Sequence, residues 1–161
     1  MHLTSSTGSH ERMSTRYIYE VCSLVDHIQQ EDHSVMLNII EGLGGTCQAL
    51  DLGTTDSLIM LLSKIREHMH HEKKHLFPAI RKWAQNAVLT RQQKIQLEQV
   101  LQSKYVYGWS HILDEFQKVQ DEFSNDEMLE QMDKLGEELC WYVKIENSYL
   151  FPILSHLTEK H

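Results

Sequence analysis

Apolar residues recur along this chain at steps of three and four, the spacing that lines one face of an α-helix, and they do so in four separate runs. The first run begins at Thr15 and extends to Gly42 or Leu43, where Gly44-Gly45 is the expected stop. Its apolar arc comprises Ile18, Val21, Val25, Ile28, Val35 and Ile39, flanked by Cys22, Met36 and Ile40, and His33 falls within it. His27, Glu31, Ser34 and Asn38 form the opposing polar stripe, so His33 is expected to face inward and His27 outward. After a Gly/Thr/Asp linker, Thr54 or Thr55 caps a second helix reaching about Gln85, with Leu58, Leu61, Ile65, His68, Glu72, His75 and Ala79 facing inward. Thr90 caps a third, predicted to run to about Phe123 with Trp109, Ile112, Phe116, Val119 and Phe123 as its apolar stripe. Ser124 or Asn125 caps the fourth, whose seam is Met128, Met132, Leu135, Leu139, Tyr142, Glu146, Tyr149 and Ile153.

Two seams carry titratable residues where a core would place apolar ones. His68, Glu72 and His75 share one face of the second helix, while His70 points away. Burying such groups is costly unless a metal or a partner compensates them. The fourth helix repeats the arrangement: at an offset of 74 residues Glu72 matches Glu146, Leu76-Phe77-Pro78 matches Leu150-Phe151-Pro152, His68 matches Tyr142 and His75 matches Tyr149. Two such helical hairpins closing together predict an all-α fold, an antiparallel up-down four-helix bundle with metal-binding residues at one level of its interior. On the third helix His111 sits about 100° from the stripe centre. A local irregularity at Gly108 would turn it inward; without one it is a surface histidine.

The candidate ligands are His33, His68, Glu72, His111, Tyr142 and Glu146, with His75 and Tyr149 as further possibilities. Imidazole, carboxylate and phenolate without thiolate suit iron or manganese better than structural zinc, and two carboxylates on different helices can bridge two ions. Zinc substitution is compatible with the same donors, as is copper. The Glu72-Lys-Lys-His75 spacing also fits a ferritin-like diiron site, but the fourth helix offers only Glu146-x-x-Tyr149.

The segments HMHHEKKHLFP and YVKIENSYLFP resemble the repeated His-x-x-x-Glu…Leu-Phe-Pro motif of the hemerythrin-like (HHE cation-binding) family, and the resemblance spans residues 15 to 157. It implies a four-helix bundle around a non-haem diiron centre, with His33, His68 and His111 as terminal imidazoles and Glu72 and Glu146 as bridging carboxylates. It further implies that the protein binds, senses or reduces O2, NO or peroxide, whether as an oxidoreductase or as an oxygen- or iron-binding or stress-sensing module without turnover. Tyr142 departs from the motif, which has histidine there; a tyrosinate ligand would stabilise ferric iron and disfavour reversible oxygen carriage.

Composition narrows the partners. With 161 residues and a formal net charge of −8, the chain fits one domain and lacks the basic face that nucleic acid or an anionic membrane requires. Three cysteines, Cys22, Cys47 and Cys140, follow no paired spacing, which suits a reducing cytoplasm. Residues 1–14 read as a polar, flexible tail preceding the domain at 15–157, with neither a signal peptide nor a membrane span expected.

Overall fold

The computed structural model describes residues 19–50, 56–84, 90–96, 98–99, 108–152 and 155. The tail, Ile18, the Thr54/Thr55 cap and Ile153 lie outside these. The fold is all-α, and no strand occurs among the described residues. Helix α1 covers residues 19–49, α2 covers 56–84, α3 is the helical stretch at 91–96, α4 is Trp109–Gln120 and α5 covers 126–152. No helix among the described residues is long and apolar enough to cross a membrane.

Four of these pack in a closed cycle, α1 on α5, α5 on α4, α4 on α2 and α2 on α1. Neighbours run in opposite directions, as paired contacts show. Asp26 meets Arg81 while His33 meets Glu72, and Lys64 meets Glu115 while His68 meets Trp109. Likewise Gln120 meets Asp133 while Trp109 meets Glu146, and Cys47 meets Met128 while Asp32 meets Trp141. The shared interior is built from Val25, Met36, Ile40, Leu43, Leu58, Ile65, Phe77, Ile80, Met132, Leu135 and Leu139, all fully buried.

Among the described residues three of the helices contain a π turn, in which an N–H bonds the carbonyl five residues back. These are Ile28–Asp32 in α1, Glu72–Leu76 in α2 and Glu146–Leu150 in α5. Each absorbs one extra residue and rotates the following face. In α1 the buried series Val21, Val25, Ile28 therefore resumes at His33, Met36, Ile40, Leu43 and Cys47, leaving Val35 exposed and Ile39 only half-buried, contrary to expectation. In α2 and α5 the same slip brings Leu76 and Leu150 inward in place of His75 and Tyr149. The two later π turns stand 74 residues apart, so the sequence repeat is also a repeat of backbone distortion. Each ends at the leucine of a Leu-Phe-Pro, two residues before the proline. A proline within a helix lacks the N–H for the carbonyl four residues back and clashes with it, which widens the preceding turn.

Helix ends depart from expectation in two places. Helix α1 passes through Gly44 and Gly45 to Ala49, because Leu43 and Cys47 continue the buried spacing on either side. The predicted third helix is interrupted: Gly108 has an extended backbone (φ −75°, ψ 170°) and α4 begins afresh at Trp109. Thr90 does cap α3, through a reciprocal pair in which Gln93 N–H donates to Thr90 Oγ1 and Thr90 N–H donates to Gln93 Oε1. Asn125, not Ser124, caps α5, accepting from Met128 N–H.

Candidate metal centre

Helices α2 and α5 bring one side chain after another to the level of the π turns. His68 and Glu72 lie one turn apart on α2, and Glu146 opens the π turn of α5. One ligand atom from each of His68, Glu72 and Glu146 falls within 4.8 Å of the other two. Both carboxylates are buried, and the His68 side chain is 15% exposed. His68 Nε2 lies 3.3 Å from Glu72 Oε1 and 3.3 Å from Glu146 Oε1. It is aligned with neither oxygen, so it has ion-pair neighbours but no hydrogen bond.

The remaining oxygens of the two carboxylates are held from α1 and α4. His33 Nε2 stands 3.0 Å from Glu72 Oε2, placed there by the π turn that ends at Asp32. Trp109 contributes twice, its indole Nε1–H donating to Glu72 Oε1 at 2.8 Å and its backbone N–H to Glu146 Oε2 at 3.0 Å. That backbone group is available because it lies in the first turn of α4, where N–H groups have no partner within the helix. The Trp109 ring is fully buried, edge-on to His68 and stacked on Tyr142, with centroids 4.4 Å away in each case. Tyr142 also stacks on His33, and its buried hydroxyl has no hydrogen-bond partner among the described residues.

Charge in this pocket is strongly perturbed. Burial favours neutral His68, but Glu146 and Glu72 outweigh it and push the imidazole up to about 10. Burial likewise works against ionised Glu72, yet His33 and His68 bring it down to about 2. Glu146 is raised, chiefly by burial. The Tyr142 phenol is driven well above its ordinary range by burial and then by the charges of Glu72, Asp32 and Glu138.

Of the residues singled out from the sequence, His33, His68, Glu72, Tyr142 and Glu146 come together; three do not. His111 is turned to the outside of α4, its side chain 40% exposed and its Nε2 3.2 Å from Glu115, which also pairs with Lys64. The break at Gly108 does not turn it inward. His75 packs against His71 at the rim, ring centroids 4.9 Å apart, and Tyr149 is 48% exposed. Trp109, read from the sequence as plain core, is the polar contributor that periodicity missed. Its neighbour Gly108 was the available signal, since a helix beginning there frees the Trp109 N–H. Comparison of the chain with protein-family models, curated proteins and solved structures returns no match.

Proposed function

We propose that the chain is a hemerythrin-like four-helix bundle that holds non-haem iron between its helices and binds, senses or reduces a small oxidant such as O2, NO or peroxide. The observation that carries this reading is the buried convergence of His68, Glu72 and Glu146, with His68 Nε2 left unbonded at its centre. Nitrogen and oxygen donors around one first-row ion stand at most about 4.4 Å apart, twice a bond length of about 2.2 Å. The 3.3 Å separations of His68 Nε2 from Glu72 Oε1 and from Glu146 Oε1 already lie inside that limit. Its donors, imidazole and carboxylate without thiolate, suit iron, with manganese or zinc able to occupy the same place.

When bound, the iron would supply a Lewis-acidic, redox-active position for the oxidant. The protein's own residues do the rest. His68, Glu72 and Glu146 would hold the ion, with His33 beside Glu72 as a further imidazole. Trp109 orients both carboxylates through its two N–H groups. The packed rings of Trp109, Tyr142 and Phe77 exclude water around His33 and His68. The Tyr142 hydroxyl is the unpaired group left to ligate the iron or to donate to the oxidant.

A carrier or sensor without turnover is the second reading. It is favoured by the pairing of the buried acids Glu72, Glu146 and Asp32, each already contacting a donor, which leaves few groups free to relay protons among the described residues.

Metal analysis of full-length protein made without a histidine tag tests the reading. Iron is expected to co-purify or to be taken up anaerobically, with affinity at least tenfold lower in His68→Ala and Glu146→Gln. A folded wild-type protein that takes up no iron would sink it. Exposing the reduced protein to O2, NO and peroxide separately then divides the two readings, turnover marking an enzyme and a stable adduct a carrier or sensor.

A further inference from the structure

On the reading that His68, Glu72 and Glu146 hold iron, we infer that the centre takes one ion per chain, and that Trp109 stands where a second ion would have to bind. This departs from the two-iron centre that the sequence resemblance implies. A carboxylate bridging two ions must give one oxygen to each, and each ion also needs its own imidazole or equivalent. Among the described residues, the imidazoles that face the two carboxylates are His33 and His68, both on the α1 and α2 side, and none faces them from α4.

The oxygens can be assigned one by one. Glu146 Oε1 faces His68, and Glu72 Oε2 faces His33. Glu146 Oε2 accepts the Trp109 backbone N–H, and Glu72 Oε1, while 3.3 Å from His68 Nε2, accepts the Trp109 indole N–H. On the α4 side, both carboxylates thus receive an N–H dipole from one residue. A helix N-terminus carries partial positive charge, so the electrostatic demand that a second cation would meet is met in part by protein.

Space and ligands agree with this. The indole is fully buried between His68 and Tyr142, so the volume beside the carboxylates on that side is ring, not cavity. The imidazole that α4 would have to contribute, His111, is two residues further on, facing outward and paired with Glu115. On the α1 and α2 side, by contrast, His33 and His68 both stand within 3.3 Å of a carboxylate oxygen. Two carboxylates there balance the charge of one divalent ion.

Anaerobic titration with ferrous iron tests the count on full-length untagged protein carrying His71→Ala and His75→Ala, which removes the imidazole pair at the rim as a stray site. One ion per chain is expected. After oxidation, an isolated high-spin ferric ion should give an EPR signal integrating to one spin system per chain. Two ions per chain, with the EPR signal cancelled by coupling between adjacent ferric ions, would overturn the single-ion centre while leaving iron binding intact. No uptake at all would overturn both. Manganese and zinc titrations should saturate at the same single equivalent.

Discussion

His68 is where the residue-scale chemistry is most exposed to measurement. In metal-free protein its imidazole is held up to about 10 by Glu146 and Glu72 against the opposing effect of burial. A folded value above the ordinary 6.5 means that its stabilisation is complete below about pH 6.5 and gone above about pH 10. Glu72, lowered to about 2, behaves oppositely: its contribution is present above 4.5 and lost as pH falls towards 2. Glu146, raised by burial, offsets part of this above 4.5. Metal-free protein is therefore expected to lose stability from about pH 6.5 to pH 10, with a slope of up to about 1.4 kcal/mol per unit, in urea titrations. A flat profile over that interval would contradict the ion-paired arrangement. Metal uptake near neutral pH should release a proton from His68, detectable as a buffer-dependent heat, and affinity should rise with pH.

Tyr142 gives a second residue-scale test. A buried hydroxyl without a partner costs about 1–3 kcal/mol. Tyr142→Phe is therefore expected to stabilise metal-free protein by about 1 kcal/mol in thermal or chemical unfolding. In the ferric protein the same change should abolish any visible phenolate-to-iron band. A band that persists in the variant would show that Tyr142 is not a ligand.

At the scale of the element, the three π turns decide which side chains reach the interior. Strict α periodicity places Val35, His75 and Tyr149 inside; one added residue per turn carries each of them outward and brings Met36, Leu76 and Leu150 in. Two of these turns are followed by Pro78 and Pro152, and the third by no proline. The glycines of α1 and α5 make a paired prediction about helix packing. A Cβ on Gly44 or Gly45 would meet nothing within 4 Å, so replacing either with alanine should stabilise by about 0.5–1 kcal/mol. A Cβ on Gly136 would lie 2.9 Å from two ring carbons of Phe116, so Gly136→Ala should destabilise by about 1–3 kcal/mol despite the better helix former. Thermal melts of the three variants check the opposite signs.

For the whole molecule, helical content, the caps at Thr90 and Asn125 and most of the core could be read directly from the chain, because spacing of three and four and a Thr-x-x-Gln or Asn cap are local signals. The 74-residue repeat extended this to a non-local statement, that Glu72 and Glu146 are equivalent, and the matching π turns agree with it. His33, His68, Glu72, Tyr142 and Glu146 were likewise legible, since polar residues interrupting an apolar seam stand out without any knowledge of neighbours. The surroundings of those residues depend on the packing of four helices around one level. Whether His111 or Trp109 faces the carboxylates turns on where α4 starts and how it is rotated, and periodicity cannot report a backbone break at Gly108. Local spacing therefore determined which residues could supply donors. Only tertiary packing decided which carboxylate oxygens remain open to a metal, because those oxygens are taken by N–H groups from helices distant in the chain.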